Sequence, residues 1–141
     1  MNVKHIGIIH TPFKDKKTAP IQPAKSSAKG KVELFKCYEE GLDGLNKFSH
    51  IILLYQFHES RGFKLKVKPF LDDKMRGLFA TRYPCRPNQI GISVVPVLKI
   101  RKNTIEVGNI DVLDGTPLLD IKPYVPQFGD NASVGWLKGK I

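Results

Sequence analysis

The chain has 141 residues, with 23 Lys or Arg against 13 Asp or Glu and a formal net charge of +10. This length is typical of a single domain and is short for a nucleotide-binding sheet made of two βαβαβ halves. No G-x-G-x-x-G pattern occurs in the sequence, which argues against the Rossmann-type dehydrogenases and methyltransferases. The excess of positive charge predicts a polyanionic partner, with nucleic acid as the first candidate.

The number of turn-forming residues and the spacing of the cysteines further limit the fold class and the kinds of site. The 12 Gly and 10 Pro residues leave little room for long helices and predict an all-β fold. Cys37 and Cys85 belong to no C-x-x-C pair, so neither a zinc site nor a redox dithiol is predicted. No apolar run approaches the roughly 20 residues of a membrane span or forms a signal peptide. We therefore expect a cytoplasmic protein with reduced thiols, no membrane association and no metal.

The first part of the chain predicts three strands. Residues 3–10, rich in Ile and Val, form the first strand, and the polar, basic residues 14–29 form a long loop. Residues 31–35 alternate apolar and charged side chains and predict a half-exposed strand, whereas residues 41–48 predict one or two helical turns. The continuous apolar run 49–57 predicts a strand buried on both faces, at the centre of the core.

The second part of the chain predicts further strands and an irregular end. Residues 63–68 alternate strictly, which puts three lysines on one face that is either solvated or contacts phosphate. Further strands are predicted at residues 77–82, 90–98 and 104–110, with a hairpin turn at residues 101–103. The chain is thus expected to form a small closed β-barrel with short helical turns over residues 1–126, followed by an irregular tail at residues 127–141. A two-sheet sandwich is the alternative.

Three polar clusters lie between these predicted strands. In the first, Arg82 and Arg86 share a proline-stiffened turn that suits a carboxylate or other anionic ligand, unless the arginines only cap backbone carbonyls. The second cluster contains three aspartates within residues 111–124, which suit ribose hydroxyls or a cationic ligand. The alternative is that Asp114-Gly115 forms an ordinary turn and Asp120 pairs with a neighbouring lysine. The third cluster has His50 and His58 at the two ends of the apolar run. A histidine in this position can act as a base, contact adenine or cap the strand as a polar group. The clusters predict a ligand site without assigning its chemistry.

Short motifs along nearly the whole chain occur in one consistent order. They are Ile6-Gly7, Thr11-Pro12-Phe13-Lys14, Ala19-Pro20-Ile21-Gln22-Pro23, Gly41-Leu42, Gly44-Leu45, Phe48-Ser49-His50, Phe57-His58, Gly77-Leu78-Phe79-Ala80-Thr81-Arg82, Arg86-Pro87-Asn88, Ile90-Gly91, Asp111, Asp114-Gly115-Thr116-Pro117 and Asp120-Ile121-Lys122-Pro123-Tyr124. In this combination and order they resemble the TsaA-like tRNA methyltransferases known as the TrmO family.

The resemblance implies a non-Rossmann methyltransferase. Its members are small β-barrels that bind S-adenosylmethionine and form homodimers. They methylate N6 of the threonylcarbamoyl-adenosine beside the anticodon of threonine tRNA, and a tRNA partner agrees with the positive charge of this chain. Two alternatives remain: a non-catalytic RNA-binding barrel of the OB type, and a methyltransferase that acts on a small molecule.

The resemblance also implies which positions contact the cofactor. These are Pro20, Ile21, Gln22, His58, Glu59, Arg82, Ile92, Asp111, Val112, Leu113 and Asp114. Two positions depart from the family, which often has arginine where Ile21 stands and glutamine where Glu59 stands. A change in cofactor affinity follows if those side chains hold the methionine end or the substrate.

Substrate contacts and a general base complete the expected site. Arg82 or Arg86 is expected to hold the threonyl carboxylate, because a guanidinium binds a carboxylate bidentately. The other expected substrate contacts are Asn88, Lys122 and Tyr124, with Lys64, Lys66 and Lys68 for phosphate. The candidates for the base that removes the N6 proton are His58, Asp111, Asp114 and Asp120. The sequence does not choose among them.

Overall fold

A computed structural model describes residues 1–15, 19, 26–126 and 131–141 of the chain. In these residues the strands are β1 (Gly7–His10), β2 (Gly30–Leu34), β3 (His50–Gln56), β4 (Lys66–Val67), β5 (Arg76–Gly77), β6 (Ile90–Arg101), β7 (Thr104–Val107) and β8 (Thr116–Pro123). Short 3-10 helices lie at Lys36–Leu42, Leu45–Lys47, Leu78–Ala80 and Gly135–Leu137. The all-β prediction with short helical turns is confirmed.

Six of these strands close into a barrel in the order β1-β2-β7-β6-β3-β8. Every neighbouring pair is antiparallel, and β1 closes the ring by pairing with β8, Gly7 opposite Leu118. Closure leaves no unpaired edge strand in the ring, so the barrel prediction is confirmed over the sandwich. Strands β4 and β5 form a separate two-stranded sheet within the connection between β3 and β6.

The barrel core is built from side chains that point inward from every strand. On β3, Ile51, Leu53 and Tyr55 are buried, whereas Ile52 and Leu54 lie half-buried on the outer face. The prediction that this strand is buried on both faces is therefore wrong. A closed barrel surrounds one core, so each strand keeps an outer surface even where its sequence is continuously apolar.

Other predicted elements also differ from the structure. The predicted first strand, residues 3–10, is paired only at Gly7–His10. The strand predicted at residues 77–82 is instead the end of β5 followed by the 3-10 helix Leu78–Ala80. Of residues 63–68, only Lys66–Val67 pair as a strand.

Strand β8 is not predicted by the sequence pattern, because proline within a run argues against a central strand. Pro117 is nevertheless tolerated, since it lies opposite Ile8 where β8 pairs with β1 alone. Pro123 occupies the last position of the strand, opposite Ile51. The two prolines thus sit where few ladder hydrogen bonds are lost.

Three long connections open at the same end of the barrel. They join β1 to β2, β3 to β6 and β7 to β8, and antiparallel pairing brings them together, with His10 opposite Lys31 and Gln56 opposite Ile90. We call this the loop end. Its described residues are 11–15, 26–29, 57–89 and 108–115. The clusters predicted from sequence at residues 57–59, 81–91 and 111–114 therefore meet at one end of the molecule.

The described C-terminal residues pack against the connection between β3 and β6. The Trp136 Nε1 donates a hydrogen bond to the carbonyl of Ala80 (2.7 Å), and the Arg76 guanidinium lies 5.6 Å from the centre of the Trp136 ring. Lys140 pairs with Asp72 (3.0 Å), whose side chain also pairs with Arg76 and is only 4% exposed. These hydrogen bonds from Lys140 and Arg76 hold the pKa of Asp72 far below its ordinary value. The contacts fix the 3-10 helix that ends at Ala80.

Candidate active site

A hydrogen-bonded chain of polar side chains occupies the barrel interior near the loop end. Ser93 Oγ donates to Asp111 Oδ1 (2.8 Å) and lies 2.9 Å from the Tyr55 hydroxyl. Because Ser93 has one hydroxyl proton and gives it to the carboxylate, Tyr55 must be the donor to Ser93. Tyr55 is 4% and Ser93 1% exposed. The three groups form a fixed relay that ends at the Asp111 carboxylate.

Burial determines the protonation states of Asp111 and Tyr55. Desolvation raises the pKa of Asp111 to about 6, against the opposing effects of the Ser93 hydrogen bond and the Arg82 charge. Burial, with the Asp111 charge, also raises the pKa of Tyr55, so the phenol stays protonated and remains a donor. The Asp111 side chain therefore changes between its protonated and ionised forms close to neutral pH.

The Tyr55 ring reaches this position because Gly91 has no side chain. Tyr55 and Gly91 are paired across β3 and β6, and a Cβ at position 91 would lie 2.7 Å from Cζ of the Tyr55 ring. The Phe57 ring supports Tyr55 edge-on, with the ring centres 5.5 Å apart. Sequence reasoning missed Tyr55 and Ser93 as site residues. The available signal was a hydroxyl at inward-facing positions of otherwise apolar strands.

Arg82 is the cation of this site. It is exposed on the connection between β3 and β6, and its charge lowers the pKa of both Asp111 and Tyr55. Within the described residues it forms no ion pair with a carboxylate. A guanidinium in this situation can bind a carboxylate of a ligand.

Arg86 is committed to the structure of its own loop. Its Nη1 donates to the carbonyls of Thr81 (2.9 Å) and Tyr83 (3.0 Å), and its guanidinium lies 5.8 Å from the centre of the Phe79 ring. This is the carbonyl-capping role that the sequence left open for the arginines of this cluster. The role expected for Arg86 and Asn88 toward substrate stays a prediction.

Asp114 joins two loops of the loop end. Its carboxylate accepts hydrogen bonds from the Thr11 backbone N–H (2.9 Å) and from Lys14 Nζ (2.7 Å). The Lys14 bond, followed by that of Thr11, lowers the pKa of Asp114. Thr11 Oγ1 also donates to the Val112 carbonyl (2.8 Å). Asp114 therefore has a structural role as an ionised clamp and is a poor acceptor for a substrate proton.

The remaining expected cofactor contacts are distributed over the loop end. His58 is half-buried and Glu59 exposed in the turn that follows β3. That turn is held to the start of β6, because Phe57 N–H donates to the Gln89 carbonyl and Gln89 Nε2 donates to the Ser60 carbonyl (2.7 Å). The side chain of Val112 is buried and that of Leu113 half-buried, whereas Ile92 is 45% exposed on the outer face of β6. Pro20, Ile21 and Gln22 lie outside the described residues.

Asp120, Lys122 and Tyr124 do not belong to the Asp111 site. Strand β8 runs away from the loop end, so Asp120 lies farther from that end than Asp111 and Asp114. Its side chain lies on the outer face of the barrel and forms an ion pair with Lys122 (3.0 Å). The Tyr124 ring contacts the His50 ring, with the centres 6.3 Å apart. Lys122 and Tyr124 thus lie toward the end opposite Arg86, so one small ligand does not contact both groups.

The three lysines of residues 63–68 are solvent-exposed in the connection between β3 and β6. Lys64, Lys66 and Lys68 form no ion pair with a carboxylate in the described part of the chain. The apolar face predicted opposite them is only partly formed, since Val67 is buried while Phe63 and Leu65 are exposed. The reason is that only two residues of this segment pair in a sheet.

The described residues hold neither a cluster of metal ligands nor a membrane-spanning helix. Among residues 1–15, 19, 26–126 and 131–141, no three His, Cys, Asp or Glu side chains are arranged as metal ligands. The same residues contain no helix with the length and hydropathy needed to cross a membrane. Cys37 and Cys85 are both free thiols.

Comparison with known proteins identifies the family. A sequence model described as the tRNA-methyltransferase O N-terminal domain matches residues 8–130. A probable S-adenosyl-L-methionine-binding protein of Pyrococcus abyssi is 49% identical over 139 residues, which cover 96% of this chain and 76% of that protein. The tRNA (adenine(37)-N6)-methyltransferase of Escherichia coli is 37% identical over 134 residues, covering 87% of this chain and 57% of that enzyme.

Solved structures agree with the sequence comparison. The crystal structure of TrmO from Pseudomonas aeruginosa matches with a TM-score of 0.80 at 38% identity, covering 96% of this chain and 62% of that chain. This chain therefore spans about three fifths of the solved TrmO chain. The family match covers more than half of the chain, and the barrel agrees with it. The chain belongs to the tRNA-methyltransferase O N-terminal domain family.

Proposed function

We propose that this protein transfers a methyl group from S-adenosylmethionine to N6 of threonylcarbamoyl-adenosine beside the anticodon of tRNA. Support comes from the family, from relatives named as S-adenosyl-L-methionine-binding proteins and tRNA (adenine(37)-N6)-methyltransferases, and from the net charge of +10. The observation that carries the proposal is a half-buried Asp111 at the loop end, which titrates close to neutral pH and feels the charge of Arg82.

The side chains at the loop end fit this cofactor. S-adenosylmethionine supplies an electrophilic methyl group on a positively charged sulfonium, next to an amino-acid carboxylate. Arg82 has the charge and geometry to bind that carboxylate, while the ionised Asp111 favours a cation nearby. The Ser93 hydrogen bond to Asp111 Oδ1 holds this carboxylate in place.

Asp111 is also the best base among the three candidate aspartates. The N6 nitrogen belongs to a urea, which is a poor nucleophile until its proton is removed. Asp114 is held ionised by Lys14, and Asp120 is paired with Lys122 on the outer face. Asp111 has a pKa of about 6, close to the working pH at which a general base is most effective. We propose that Asp111 accepts the proton while Ser93 and Tyr55 hold its orientation.

Methyl transfer is tested directly with methyl-deuterated S-adenosylmethionine and tRNA that carries threonylcarbamoyl-adenosine. Mass spectrometry of the digested nucleosides should find the deuterated methyl on that nucleoside and not on plain adenosine. Bound tRNA without any label contradicts the proposal and favours a non-catalytic RNA-binding barrel. Cofactor binding with indifference to tRNA favours a small-molecule substrate instead.

Arg82→Ala is expected to weaken S-adenosylmethionine binding. Loss of a charged hydrogen bond costs about 1.5–3 kcal/mol, which corresponds to a dissociation constant raised about 10- to 150-fold. Isothermal titration calorimetry measures this constant, with Arg101→Ala at the opposite end of the barrel as the matched control. If Arg82→Ala spares cofactor affinity but removes the preference for modified tRNA, the guanidinium binds the threonyl carboxylate instead.

We further propose that the protein acts as a homodimer in the cytoplasm, with residues 1–126 as the barrel domain and 127–141 as its tail. Ile90, Ile92 and Val94 form an exposed apolar strip on the outer face of β6, next to Ile52 and Leu54 of β3. An apolar sheet face on a highly charged chain suits a second copy of the same chain.

Val94→Lys is expected to convert the dimer to a monomer, because a lysine at the centre of the apolar strip would have to be desolvated in the interface. Sedimentation velocity measures the masses of both proteins. Val125→Lys, at a residue that is 50% exposed and outside the strip, is the control. A wild-type protein that sediments as a monomer at micromolar concentration contradicts the proposed dimer.

A further inference from the structure

Phe79 is an exposed aromatic ring on a fixed turn. Its side chain is 73% exposed, while the preceding Leu78 is 1% exposed and anchors the 3-10 helix. The Trp136 indole bonds to the Ala80 carbonyl, and Thr81 Oγ1 donates to the Leu78 carbonyl (2.7 Å). Hydrogen bonds therefore hold the backbone on both sides of a ring that is itself left in solvent.

A guanidinium group lies against the Phe79 ring. The Arg86 guanidinium lies 5.8 Å from the centre of the ring, within the range of a cation–π contact. Both partners of that pair are fixed, because Arg86 Nη1 also bonds to the Thr81 and Tyr83 carbonyls. A cationic environment with an exposed aromatic face disfavours an apolar protein partner and favours a ligand that is both planar and anionic.

Phe79 lies three residues before Arg82 in the chain. Thr81 and Tyr83, whose carbonyls bind Arg86, are the chain neighbours of Arg82. Arg82 in turn is near enough to Asp111 to lower its pKa. Arg86 thus connects the Phe79 ring to the cation of the site through the backbone of a single turn.

We propose that Phe79, backed by Arg86, is a stacking platform for an unpaired RNA base adjacent to the nucleotide that is methylated. This inference rests on the proposed function. It assigns recognition of the substrate loop to a residue outside the hydrogen-bonded chain of Tyr55, Ser93 and Asp111. Proteins recognise single-stranded RNA loops largely by stacking unpaired bases on aromatic rings and arginine planes. The net charge of +10 favours the phosphates of the same loop.

The test measures binding of a synthetic anticodon stem-loop RNA to the full chain by fluorescence anisotropy. Base stacking on an aromatic side chain is worth about 1–3 kcal/mol, so Phe79→Ala should raise the dissociation constant about 5- to 150-fold. Phe79→Leu should weaken binding similarly, since leucine is apolar without a π face, whereas Phe79→Trp should preserve binding. Phe70→Ala is the matched control, because Phe70 is also 73% exposed.

Abasic RNA probes identify the stacked base. In a series of loops that each lack one base, the effect of Phe79→Ala should disappear at one position beside the target and persist at the others. Equal binding by wild type, Phe79→Ala and Phe79→Leu overturns the platform, as does a loss of S-adenosylmethionine affinity in Phe79→Ala. A wild-type chain that binds no stem-loop instead contradicts the proposed function itself.

Discussion

Asp111→Asn is expected to lower kcat by about 10²- to 10⁴-fold, the usual contribution of a positioned general base. The substitution keeps the shape of the side chain and an acceptor for Ser93, so the hydrogen bond of 2.8 Å can persist while the basic group is lost. In the wild type, kcat should rise with pH as Asp111 ionises around a pKa of about 6. That rise should be absent from the variant when methyl transfer is followed with modified tRNA between pH 5 and 8.

The same substitution should stabilise the fold. The pKa of Asp111 is about 6 in the folded chain, raised by burial from an ordinary value of 3.8. A raised pKa means that folding favours the protonated acid, so stability is lost as pH rises through 6 and is fully present only below about 4. The asparagine side chain of the variant carries no charge and avoids this loss, which gives about 3 kcal/mol greater stability at pH 7.5.

Urea denaturation separates the roles of Asp111. The stability difference between variant and wild type should shrink as pH is lowered from 7.5 toward 4, while the activity difference persists at neutral pH. A variant with normal kcat and a raised dissociation constant for S-adenosylmethionine would show that Asp111 only contacts the cofactor. If the variant is less stable than wild type at pH 7.5, the ionised Asp111 carboxylate does not destabilise the folded chain, which contradicts this prediction.

Gly91→Ala is expected to destabilise the protein by about 3 kcal/mol, at the upper end of the range for overpacking a core. The added Cβ would lie 2.7 Å from Tyr55 Cζ and 2.8 Å from Phe57 Cζ. Tyr55 is 4% exposed, and the Phe57 ring packs edge-on against it. Displacement of its ring breaks the hydrogen bond to Ser93 and leaves Asp111 less firmly oriented.

Thermal and urea unfolding measure this loss, together with kcat on modified tRNA. Gly41→Ala is the matched control, since no atom lies within 4 Å of a Cβ at that position. Both substitutions add one methyl group, but only that at position 91 meets a packed ring. Equal stability of the two variants would show that the Tyr55 ring is not confined as described.

Much of the fold followed from local pattern. Alternation and β-branched content predicted β2, β3, β6 and β7, and the scarcity of helical periodicity predicted a barrel. Strand β8 was missed because Pro117 and Pro123 argue locally against a strand. Both prolines are accepted for a tertiary reason, since each lies where β8 has a pairing partner on one side only.

The site could be predicted as clusters but not as an arrangement. Asp111, Asp114 and Asp120 are the same residue type within ten positions of one another. Their chemistry differs because one is buried beside Ser93, one is clamped by Lys14 and one is paired with Lys122 on the outer face. Local sequence offered only the pairing of Asp120 with a neighbouring lysine, whereas Ser93 and Lys14 are far from their aspartates along the chain.

Composition and motif order, which need no structure, therefore determined the class of fold and the family, and they predicted an anionic partner. They depend on short-range propensities and on the summed charge, which are properties of the sequence itself. The tertiary structure decided which aspartate is titratable near neutral pH, because desolvation arises only when the barrel closes around it. It also decided that Tyr55 and Ser93, 38 residues apart, act on that carboxylate together.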